Sequence, residues 1–228
     1  RVTTSSPSWQ AGRAAIAAEL ALPGEFPPDG LAAAEQAAAN GVLPELDRTD
    51  IPFITIDPEG SMDLDQALHL ERKGGDAGGF VLHYAIADVA AFVKAGDPVD
   101  LEANRRGTTL YGAGSRIPLH PPTLSEGAAS LLPEQVRPAL LWSLEVAANG
   151  DLTSTHVERA KVRSTQRWTY VEAQAAIDGP DCPEVLTLLK QVGQLRQQQE
   201  LERGGVSLPL PEQEIDEADA GFQLTFRE

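Results

Sequence analysis

Three aspartates, Asp57, Asp63 and Asp65, stand within nine residues of one another, between two short apolar runs at 53–56 and 67–71. The flanking runs read as strands, so the chain must carry a carboxylate-rich loop at the end of a sheet. Gathering three carboxylates in a partly desolvated place is costly unless cations neutralise them. An Asp-x-Asp pair in extended geometry puts both side chains on one face. Pro58 and Gly60 allow the chain to fold back so that Asp57 joins the other two. Oxygen donors without His or Cys suit a hard divalent ion such as magnesium or manganese. On the residues alone three other readings stay open. One is an ordinary solvated acidic loop. A second is a calcium loop of the EF-hand type, which lacks its Glu at the twelfth position and its preceding helix. The third is a nucleotidyl-transferase Asp-x-Asp, for which Gly60-Ser61 stands on the wrong side.

Around this loop the patterning is that of an α+β chain. Ala-rich helices are expected at 9–21 and 30–40, stopped by Pro23-Gly24 and Gly41. A connector at 47–51 leads to the strand at 53–56. Beyond the acidic loop come a strand at 67–71, a Gly-rich turn at 73–79 and a strand at 80–88. Asp97-Pro98 starts a helix that stops near Gly107, and 108–111 is a short extended piece. Residues 112–133 read as one long irregular loop, and loops of that length are usually functional. Asn149-Gly150 marks a hairpin joining 139–147 to 153–162. Helices follow at 169–177 and 183–203, then an acidic tail with a last strand at 222–226. The expected architecture is mixed or antiparallel strands with packed helices: a helical lead-in segment at 1–48 and the main domain at 49–228.

The net charge of -16 argues against a general phosphate-binding surface. The charge is uneven, however. Residues 103–170 hold eight basic against five acidic side chains, a net of +3, which leaves -19 on the rest. Such a stretch would suit a basic lining in an acidic body, and scatter would produce it equally well. A single cysteine, Cys182, excludes an internal disulfide and a Cys-rich zinc site. No apolar run reaches the roughly 20 residues of a membrane span, and residues 1–10 lack the apolar core of a signal peptide. A cytoplasmic monomer without membrane contact is the expectation.

The acidic segment resembles the signature of the ribonuclease II family, the RNB catalytic domain. That signature has an Asp, five residues, an Asp, one residue, then Asp-Asp followed by Ala. Asp57, Asp63 and Asp65 match its first three acids, and Gln66 stands where the family has the fourth. Further blocks follow the family's order: Leu22 to Pro27, Tyr84 to Val89, Arg106 to Tyr111 with Ile117-Pro118-Leu119, Leu124-Ser125 with Ser130-Leu131, and Arg163-Ser164 with Thr169-Tyr170 and Gln174. The resemblance runs from about residue 22 to residue 228. It implies a processive 3'-to-5' exoribonuclease that hydrolyses single-stranded RNA to nucleoside 5'-monophosphates with Mg2+, or Mn2+, as cofactor. By the match, Asp57, Asp63, Asp65 and Gln66 hold metal, and Asp65 is the acid most essential to the chemistry. Tyr170 sits against the last nucleotide, and Tyr111 stacks at the other end of a short run of bases. Stacking of about 1–3 kcal/mol per base tolerates any sequence. A family member that binds RNA 3' ends without cutting is the alternative, motivated by Gln66. The match also implies that the chain is the N-terminal half of the catalytic domain, with a Thr-Ser-Pro segment bearing an Arg pair and OB-folds lying outside it.

The remaining residues carry less. His69, His83, His120 and His156 lack metal-ligand spacing and read as structural. Asp88 on its apolar strand reads as a buried hydrogen-bonding group, with an approach to the metal site as the alternative. Glu126 and Arg137 read as solvated loop residues, with RNA contact as the alternative, and Trp9, Trp142 and Trp168 as core anchors.

Overall fold

The computed structural model describes residues 7–74, 78–112, 115–208, 210–218 and 221–227. Helices α1 (Pro7–Glu19) and α2 (Pro28–Ala39) form the lead-in, and the latter has Pro in its first turn. The apolar runs flanking the acidic loop form β1 (Phe53–Asp57) and β2 (Gln66–Arg72). β3 (Phe80–Ala87) follows the Gly-rich turn, whose centre at 75–77 lies outside the described residues. Helix α3 (Pro98–Arg106) starts where the Asp97 carboxylate accepts the amide of Asp100 at 2.8 Å. It ends at Gly107, whose φ of 76° suits the left-handed stop. A small hairpin, β4 (Leu110–Gly112) and β5 (Ser115–Ile117), precedes the long strands β6 (Val136–Val146) and β7 (Leu152–Thr169). The Asn149-Gly150 turn joins these two, with Gly150 at φ 91°. A capping box between Thr169 and Glu172 then starts α4 (Tyr170–Asp178). Helix α5 (Glu184–Glu202) and a hairpin of β8 (Glu212–Ala218) and β9 (Gly221–Arg227) complete the order.

Five of these strands close into a barrel in the order β1-β2-β3-β6-β7. Neighbours run antiparallel except at the closure, where β1 lies parallel to β7 from Phe53 opposite Ser164 to Asp57 opposite Thr169. A five-stranded barrel is narrow, and small side chains fill it beside a few large ones. Ala67, Ala85, Ala139 and Ala160 pack there with Phe53, Leu141 and Val162. Outside, α5 covers Leu70, Phe80 and Val146 with Leu188 and Val192, and Ala173 of α4 packs with Leu186 against Ile54. A separate apolar cluster joins α2 and α3 through Ala34, Phe92, Val99, Leu124 and Ala129.

The structure agrees with the α+β expectation and changes three details. β7 runs on to Thr169 instead of ending near 162, because beyond Arg163, where its pairing with β6 stops, residues 164–169 pair with β1. The segment 112–133 is not uniformly irregular: it holds β5 and a π-helical turn at Thr123–Ala128, while its positions 113–114 lie outside the described residues. The acidic tail contributes a second strand, β8, paired along its length with β9.

Candidate functional site

Topology brings the sequence-predicted residues other than Tyr111 to one rim of the barrel. β1 and β7 are parallel, so their C-terminal ends, Asp57 and Thr169-Tyr170, lie side by side. β2 is antiparallel to β1, which sets Gln66 and the preceding Asp65 at the same end. Tyr170 is the first helical residue of α4 and is half exposed. Tyr111 lies apart on β4 and is 76% exposed, opposite Arg116 of β5.

The loop between β1 and β2 is pinned from beneath. Ser130 is buried, and its hydroxyl donates to the Met62 carbonyl at 2.6 Å and accepts the Leu64 amide at 3.0 Å. The Leu131 amide donates to the Leu64 carbonyl at 2.8 Å. Leu64 fills the barrel core, while its neighbours Asp63 and Asp65 are half-buried and exposed, respectively. Arg167 of β7 donates to the Ser61 carbonyl at 2.8 Å and anchors the other side of the loop.

The carboxylates feel one another. Burial pushes the Asp57 carboxyl above its ordinary range, and the charges of Asp65 and Asp63 push it further; Arg167 offsets part of this. Oδ2 of Asp57 is buried without a hydrogen-bond partner. Asp65 is exposed at one side but crowded enough at the other that desolvation raises its carboxyl too, with a contribution from Asp63. Two hydrogen bonds work against that rise, one from the backbone and one from the Gln66 side chain. The Gln66 carbonyl oxygen accepts the Tyr84 hydroxyl. Burial, then the charges of Asp65 and Asp57, raise the Tyr84 phenol. Asp63 turns instead to Arg116, whose guanidinium donates to its Oδ2 at 3.0 Å and also to Glu126.

Among the described residues no three His, Cys, Asp or Glu side chains converge as a ready metal cage. The donor set nevertheless fits a hard divalent cation. It is all oxygen, it leaves one buried carboxylate oxygen unsatisfied, and its two raised carboxyls would be relieved by positive charge. Asp57, Asp63 and Asp65 lie close enough to feel one another's charge, with Asp63 held by Arg116, and Gln66 adjoins Asp65.

Sequence reading missed Tyr84, Arg116, Ser130 and Arg167 as members of this site. Each lies far from the acidic loop in the chain, and no local signal ties it there. Asp88 does take the role expected of it: it is buried and accepts Arg159 Nε at 2.8 Å. Glu126 and Arg137 depart from the solvated reading. Glu126 holds Arg116, and Arg137 donates to the Ser130 carbonyl at 3.0 Å. Arg106 also has a structural role. Its guanidinium reaches Glu102 at 2.8 Å, the Gly24 carbonyl at 2.8 Å and the Pro118 carbonyl at 3.2 Å, and it stacks on Phe26 at 3.7 Å. It thereby fastens the lead-in to the segment after β5.

The family model described as the RNB domain matches residues 46–225. Ribonuclease R of Escherichia coli is 37% identical over 145 residues, which cover 64% of this chain and 17% of that protein. Exoribonuclease 2 of Vibrio vulnificus is 35% identical over 141 residues, covering 61% of this chain and 21% of that protein. The chain thus spans about a fifth of the length of these curated relatives. Among solved structures, Mycoplasma genitalium RNase R in complex with ribose-methylated single-stranded RNA aligns with a TM-score of 0.81 and 26% identity. The alignment covers 96% of this chain and 36% of that one.

Proposed function

Because this chain belongs to the RNB-domain family of ribonucleases, we propose that it forms the metal-holding part of a 3'-to-5' exoribonuclease acting on single-stranded RNA. The observation that carries this reading is the rim itself: Asp57 with a buried unpartnered oxygen, beside Asp65 and Asp63, at the barrel end where Tyr170 emerges. Asp57, Asp63 and Asp65 would hold a divalent cation, magnesium or manganese. Such an ion activates water and stabilises a leaving oxygen in phosphodiester hydrolysis. Asp65 would be the carboxylate closest to the chemistry. Gln66 would act less as a ligand than as a donor that offsets part of the burial-driven rise of the Asp65 carboxyl, since its own oxygen is engaged by Tyr84. The exposed rings of Tyr170 and Tyr111 would stack bases without reading sequence. On this reading residues 1–48 are a lead-in, and residues 49–228 are part of the catalytic domain. No helix among the described residues is long and apolar enough to cross a membrane.

The test is incubation of the protein with 5'-labelled single-stranded RNA, with and without magnesium. The expected result is a metal-dependent ladder that shortens from the 3' end with release of mononucleotides. Asp65→Asn should abolish it while the fold and RNA retention survive. A second reading, RNA 3'-end binding without cutting, is favoured by the capture of the Gln66 oxygen by Tyr84. It expects intact RNA retained by the protein and turnover appearing in Gln66→Asp. Failure of that variant to gain turnover counts against it.

A further inference from the structure

We propose that Arg116 is the built-in counter-ion of the carboxylate loop, and that a divalent cation must displace it from Asp63 in order to bind there. The inference rests on the reading that the loop holds such a cation. Arg116 reaches Asp63 across the chain from β5, with Nη1 at 3.0 Å from Oδ2, while Nη2 donates to Glu126 of the π-helical turn. A guanidinium offers a planar fork of donors that matches a carboxylate. It and a metal ion compete for the same oxygens and repel each other. The Arg116 side chain is 35% exposed, which leaves it room to swing. Glu126 gives it a place to stay after Asp63 is taken, so the exchange leaves no unpaired charge. In the antiparallel register Arg116 stands opposite Tyr111. The ion pair therefore ties the exposed tyrosine hairpin to the acidic loop, and cation binding would loosen that tie.

The measurement is calorimetric titration of manganese into the wild-type protein and into Arg116→Gln, Arg116→Lys and Glu126→Gln. Urea midpoints serve as the check that each variant folds. Removing one partly screened unit charge should tighten manganese binding by about three- to tenfold in Arg116→Gln. Arg116→Lys keeps the charge and should stay within about twofold of wild type. Glu126→Gln leaves Arg116 to Asp63 alone and should weaken binding by a similar factor. That weakening should largely vanish in the Arg116→Gln background. Should Arg116→Gln fail to fold, Arg116→Met carries the same expectation. If the wild type binds manganese and neither neutral variant binds it more tightly, the counter-ion role is overturned while the metal reading stands. If neither wild type nor variants take up manganese at millimolar concentration, the metal reading itself fails and the competition falls with it.

Discussion

Replacing Ser130 by Ala removes the pin beneath the acidic loop. The hydroxyl makes two bonds, to the Met62 carbonyl at 2.6 Å and from the Leu64 amide at 3.0 Å, and Ser130 is 1% exposed. The two losses differ. Met62 is exposed, so its carbonyl recovers water and the net cost is about 1 kcal/mol. Leu64 is 0% exposed, so its amide is stranded, at about 1–3 kcal/mol. The sum is about 2–4 kcal/mol, or a fall in Tm of roughly 4–16 °C for a chain of this size. Ser164 supplies the control. It is equally buried, but its hydroxyl bonds are long, at 3.5 Å to Phe53 and 3.4 Å to Gln166. The Phe53 carbonyl keeps a better donor in Thr165 at 3.0 Å. Ser164→Ala should therefore cost under about 1 kcal/mol. Urea unfolding followed by circular dichroism, with unchanged m-value, measures both. A loss in Ser130→Ala no larger than in Ser164→Ala would refute the claim that this hydroxyl fixes the loop.

Asp57→Asn should stabilise the metal-free protein at neutral pH. A carboxyl raised by folding costs stability above its folded pKa, and that cost disappears below the ordinary carboxylate value of about 3.9. The gain, read from urea midpoints against pH, should fade on acidification, and the variant should lose any thermal upshift that magnesium confers. Glu102 behaves oppositely. Its carboxyl is held at about 2, first by Arg105 and then by Arg106. Its contribution is whole above about 4.5 and is lost as pH falls toward 2, so Glu102→Gln should flatten the acid limb of the stability profile. Leu141→Ala should cost about 3–5 kcal/mol, because Leu141 is fully buried among barrel alanines too small to fill the gap; a loss below about 1 kcal/mol would mean the barrel interior collapses freely.

Much of this molecule was legible in the order of residues, because the signals are local. The Asn149-Gly150 turn, the Asp97-Pro98 helix start and the alternating apolar runs each act within a few positions. The helices and strands therefore fell close to where those patterns placed them. The three aspartates were visible for the same reason, as was the substitution at Gln66, which shows in the chain without its partners. What only the tertiary structure decided is closure and company. The parallel seam of β1 with β7 joins residues about 110 positions apart, and nothing local to either strand announces it. That seam sets Asp57 beside Tyr170. Likewise Arg116, Ser130 and Arg167 reach the acidic loop from 53, 68 and 106 positions away. A carboxylate's demand for a counter-charge is written in its own residue type. Which cation answers it depends on where the folded barrel puts the rest of the chain.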